Sequence, residues 1–114
     1  MSFFDSEIVR AEMAEIQELQ EEVFDNVMKF QFMNDSDKLH HITTLERLIE
    51  KQKIVYARLS LSDDPEAKKM KEEVLKSAVM MGLPRNVDIT LMFNQMSDMM
   101  NMMRQQLDTG SVES

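Results

Sequence analysis

The sequence predicts an all-α protein: a long antiparallel hairpin of two helices with two shorter helices packed on it as a bundle. Three observations carry that prediction. The 114 residues include only two glycines and two prolines, too few for the turns of a β-sandwich or for a Gly-rich phosphate loop. Apolar residues recur at spacings of three and four in four successive segments, the period of a helix with one buried face. Short breaks rich in Asp, Asn, Ser, Gly and Pro separate those segments, and these residues cap and stop helices.

The elements follow in order. Asp5 or Ser6 can cap the first helix, and Phe4 is placed to staple against Val9. Met13, Ile16, Leu19, Val23, Val27 and Phe30 continue the stripe without a Gly or Pro. A helix of about 25 residues, ending near Phe32 and Met33, is therefore expected. Asn34-Asp35-Ser36-Asp37 then offers turn and cap chemistry before a second long helix. Its seam runs through Leu39, Ile42, Leu45, Ile49, Gln52, Tyr56 and Leu59, with Gln52 the one residue bearing an amide. Leu48 and Val55 widen the stripe to globular width.

Asp64-Pro65 opens the third helix. Proline at the first helical position forfeits no hydrogen bond and holds Asp64 extended, as an N-cap must be. Ala67, Met70, Val74, Ala78 and Met81 form the expected buried stripe, with Lys68, Lys69, Lys71 and Lys76 outside it. Gly82-Leu83-Pro84 should end this helix through a left-handed glycine. The fourth helix is expected from about Asp88. Ile89, Met92, Phe93, Met96, Met99, Met100, Met103 and Leu107 share its predicted face. The organisation expected is one domain over residues 1–107 and a flexible polar tail over 108–114.

Charge is unevenly distributed. Residues 5–30 carry eight acids and two bases, whereas residues 38–58 carry five bases and two acids. An antiparallel pair of such helices would set opposite charges along a shared apolar seam. The whole chain is acidic, at −8 with neutral histidines. That disfavours nucleic-acid backbones and anionic membrane surfaces as partners. Cysteine is absent, which excludes disulfides, thiolate catalysis and Cys-ligated metals within these residues. The start, MSFFDSEIVR, lacks the basic and apolar regions of a signal peptide. No apolar run approaches the roughly 20 residues that span a bilayer. A cytoplasmic location is the expectation.

The candidate chemical sites are weak. His40 and His41 are sequence neighbours, so their side chains diverge by about 100° on a helix and do not share a metal. A ferritin-like di-iron site would need two Glu-x-x-His motifs, and here one Asp-x-x-His stands alone, at Asp37 and His40. Glu12, Glu15, Glu18, Glu21 and Glu22 alternate with the apolar stripe as a solvated face does, without the unlike environments of an acid–base pair. The Lys51, Lys53 and Arg58 group and the lysines of the third helix lack an aromatic platform for bases. No catalytic residue, metal or cofactor is expected.

Methionine is the outlier. There are thirteen, and six of them (Met92, Met96, Met99, Met100, Met102 and Met103) fall within twelve residues. Methionine fills cores readily, but between Met99 and Met103 it covers more than one helix face. The surplus predicts an adaptable interface with another protein or a second copy.

Phe3-Phe4-Asp5-Ser6-Glu7-Ile8-Val9, Lys53 through Asp63, and Met92-Phe93-Asn94-Gln95-Met96 resemble a small family known only as a domain of unknown function in cyanobacteria and their T4-like cyanophages. The order and spacing of these stretches run nearly the whole length. The resemblance implies a small helical protein in the cytoplasm of a cyanobacterium or of an infected one, and it brings no catalytic residues.

The expected function is that of a non-catalytic interaction module, a regulatory factor that binds a host protein or complex and is not an enzyme. Its expected contacts are Phe3, Phe4, Met92, Met96, Met99, Met100, Met102 and Met103. The partner is a protein, with homo-oligomerisation an option. The alternative is a structural or assembly component of a phage virion.

Overall fold

A computed structural model describes residues 3–86 and 88–113, with side chains described as far as Asp108. A 3₁₀ turn at Phe3–Asp5 leads into α1 (Glu7–Val27), and a second at Phe30–Phe32 leads into α2 (Asp35–Leu61). Then come α3 (Pro65–Met80) and α4 (Ile89–Glu113). The predicted all-α class and its four helices are what the chain forms.

The helix ends obey the chemistry read from the sequence. The Ser6 hydroxyl accepts from Val9 N–H at 3.5 Å. Asn34 caps α2 through Asp37 N–H at 2.8 Å, and Asp64 caps α3 through Glu66 N–H at 3.0 Å. One Asp88 oxygen accepts from Thr90 N–H and Leu91 N–H at 2.9 and 3.3 Å. Behind α3, Gly82 takes φ +96°. The Leu83 N–H reaches back to the Ala78 carbonyl at 3.1 Å and the Gly82 N–H to that of Val79 at 2.9 Å, the paired bonds of a Schellman stop.

Two boundaries differ from expectation. The first helix ends at Val27, short of the 32–33 region. Asn26 turns its amide onto the Glu22 carbonyl at 2.9 Å, and the Lys29 N–H closes a tighter loop onto the Asn26 carbonyl at 3.0 Å. The Asn26 carbonyl is thus taken three residues on instead of four, and the chain continues in 3₁₀ geometry. The fourth helix was expected to be short, yet its 25 residues exceed the 21 of α1. Its backbone stays helical to Glu113; the side chains of the expected tail from 109 onward lie outside the described residues.

α2 is the shared partner, with α1, α3 and α4 all packed against it. Its neighbouring residues Leu48 and Ile49 point about 100° apart and serve different cores. Leu48 and Val55 pack with Ile16 and Leu19 of α1. Ile49 joins Ala78, Ile89 and Phe93 from α3 and α4, with Tyr56 against them. The predicted charge complementarity also sets register. Glu12 pairs with Arg58 at 2.6 Å and Glu15 with Lys51, and His40 Nε2 lies within hydrogen-bond distance of Glu22, at 3.3 Å. Descending partner numbers make the pair antiparallel. On the other side, Phe93 meets Tyr56 and Arg104 meets Glu46 and Thr43, so α4 is antiparallel to α2 as well.

The result is elongated. Its extents are 55 × 32 × 20 Å, and the shortest is about two helix diameters.

Candidate interaction surface

The predicted contact residues separate into inward and outward groups. Met92, Met96 and Met100 pack against the core shared by α2, α3 and α4, and Met103 is half-buried. Met99 and Met102 stand out into solvent at 58% and 60% exposure. Met99 therefore leaves the single face predicted for it, because α4 lies on α2 along the line of Met92, Met96, Met100 and Arg104. Leu91 is exposed on the outer side as well. Met81, expected in the buried stripe of α3, is exposed too, since it is already the C-cap residue turning toward Gly82.

Phe3 and Phe4 stack edge to face with centroids 5.1 Å apart. Their short turn touches both α1 and α3, and the Phe3 N–H donates to the Asp64 carboxylate. Arg10 Nε donates to the Phe4 carbonyl at 3.2 Å. Both rings are half-buried. Phe4 borders a groove of about 240 Å³ together with Ile16, Gln52, Tyr56, Val74 and Phe93. The pair thus closes one end of the helix assembly.

A second outward group lies outside the residues expected at an interface. Phe24, Met28 and Phe32 are 78%, 81% and 83% exposed, and Val27 is half-exposed beside them. Val27 and Phe30 were expected to extend the buried stripe. The helix instead stops at Val27, and the 3₁₀ turn swings Phe30 onto His41, with centroids 5.3 Å apart. The Lys38 ammonium also lies over that ring, 5.6 Å from its centroid. The spacing of Phe24, Met28 and Phe32, each four residues from the last, was the available signal. It was masked by the competing stripe through Val23, Val27 and Phe30.

The titratable groups at this end are set by packing. His41 is buried at 5% exposure, and burial pushes its pKa below 6.5, with Glu22 opposing and His40 reinforcing the shift. Farther along α1, the hydrogen bond and charge of Lys51 hold Glu15 below the usual carboxylate value. His40, His41, Lys29, Asn26, Asp37 and Phe32 surround an open hollow of about 710 Å³. Among the described residues no three His, Asp or Glu side chains converge as a metal site would need. No described helix is long and apolar enough to cross a membrane.

A family model, the domain of unknown function DUF1825, matches residues 1–107. The chain belongs to that family. No curated protein and no solved structure matches it. Membership agrees with the resemblance to a domain of unknown function that runs nearly the whole length of the sequence.

Proposed function

We propose that this DUF1825 chain is a non-catalytic helical interaction module, a regulatory factor acting in the cytoplasm by binding another protein. The observation that carries this reading is two groups among the large apolar side chains left in water. Phe24, Met28 and Phe32 protrude at the end of α1, and Leu91, Met99 and Met102 on the outside of α4. Single exposed apolar residues are ordinary, whereas grouped ones mark surfaces that another molecule covers. Aromatic residues and methionine are enriched in the cores of such interfaces. The half-buried Phe3 and Phe4 support the assembly from within, and Met92, Met96, Met100 and Met103 hold α4 in place so that Met99 and Met102 face outward.

The test is affinity capture by the tagged full chain in its native cells, in three versions. Met99→Glu with Met102→Glu, and separately Phe24→Glu with Met28→Glu, should each release partners that the unaltered chain retains. All four positions are exposed, so circular dichroism should show unchanged helix content. Retention of every partner by both variants would remove the basis for the proposal. Recovery of the protein solely within assembled particles would replace it with a structural role.

A further inference from the structure

The outer face of α1 is chemically more specific than an apolar patch. At 100° per residue, Met13, Gln17, Gln20, Phe24 and Met28 lie within about 40° of the line through Phe24. Glu18, Glu21 and Asp25 form a row about 60–120° to one side of it. The other α1 acids within reach of α2 are engaged: Glu12 by Arg58, Glu15 by Lys51 and Glu22 by His40. Glu18, Glu21 and Asp25 have no ion-pair partner among the described residues. The surface is also hollowed along this line. Gln17, Gln20, Glu21, Phe24 and Asp25 edge a depression of about 430 Å³. An adjoining one of about 750 Å³ shares Gln17 and Gln20 and continues past Met13 to Phe4. From Met13 to Met28 the line spans about 22 Å, the length of a helix of roughly 15 residues.

Resting on the interaction reading above, we propose that this face seats a basic amphipathic helix of another protein. Its apolar stripe lies on Met13, Phe24 and Met28, and its Lys or Arg residues face Glu18, Glu21 and Asp25. An amphipathic helix laid in a groove is anchored at successive turns, and Phe24 and Met28 supply anchors one turn apart. The charge row supplies orientation and selection, because an acidic or neutral helix leaves three carboxylates without counter-charge. A second copy of this chain is a poor occupant. It carries −8 overall; its most basic helix, α2, is already covered by α1, α3 and α4, and residues 66–76 of α3 set four Lys against three Glu.

The probe is an 18-residue Leu/Lys amphipathic peptide carrying one tryptophan, titrated with the full-length protein, which has no tryptophan of its own. Saturable binding is expected, roughly tenfold weaker for Phe24→Ala with Met28→Ala and again for Glu21→Lys with Asp25→Lys. A peptide with Glu in place of Lys should not bind. Equal binding of the two peptides, or variants that bind like the unaltered protein, would overturn the proposal. So would self-association in sedimentation that Phe24→Ala abolishes, since the face would then belong to a second copy. The two readings fail differently. If Phe24→Ala with Met28→Ala loses cellular partners but the charge reversal keeps them, interaction stands and the basic helix is wrong. If these variants and the Met99/Met102 pair all keep them, the interaction reading fails.

Discussion

A side chain at Gly82 would meet no atom within 4 Å, yet substitution there is costly because the backbone sits at φ +96°. Gly82→Ala should lower stability by about 1–2 kcal/mol, read as a shift in the denaturant midpoint with unchanged slope. An unaffected midpoint would mean that the turn relaxes to another conformation. His41 makes a prediction in pH. Its folded pKa lies below 6.5, so the unfolded chain binds the proton more readily. The stability contributed by the neutral ring is complete above that value and declines as pH falls through it. His41→Leu should flatten the stability profile as pH falls below 6.5. Glu15 acts lower on the scale. Its depressed pKa contributes stability that is present above 4.5 and lost as pH falls through the folded value.

At the level of elements, the capping chemistry is the most legible part of the molecule. Asp64 is extended before Pro65 because proline permits little else, and its carboxylate meets both the Glu66 N–H and the Phe3 N–H. Asp64→Ala should cost about 1–2 kcal/mol, checked by thermal melting, whereas Asp64→Asn should recover much of it. The end of α1 was not legible, for a physical reason. No residue there forbids helix, and the tighter bond from the Lys29 N–H to the Asn26 carbonyl that marks its end belongs to the folded geometry alone. That stop changes the phase of everything beyond it. Phe30 turns in to His41, while Phe32 turns out. The Met face of α4 was legible as a surplus but not in its division. Which methionines face inward depends on where α2 lies, and periodicity alone does not place a neighbouring helix.

For the whole molecule, α2 has separate apolar partners on two sides, and the packing should be correspondingly divisible. Ile16 belongs to the α1 side and Ile89 to the α3–α4 side. Ile16→Val and Ile89→Val should each cost about 0.5–1.5 kcal/mol, and the double variant should equal their sum within about 0.5 kcal/mol. A coupling above about 1 kcal/mol would indicate one continuous core. The shape carries the same message. The Cα radius of gyration is 16.4 Å, against about 13 Å for a compact domain of this size. The excess is helix surface, and on α1 and α4 that surface bears Phe24, Met28, Met99 and Met102.

The interaction reading is tested most directly by hydrogen exchange of the full-length protein, alone and with a partner captured from its native cells. Partner binding should slow exchange along residues 17–32 of α1 and its following turn, or along residues 91–102 of α4, and leave α3 unchanged. Slowing confined to α3, or no slowing anywhere on α1 and α4, would contradict it.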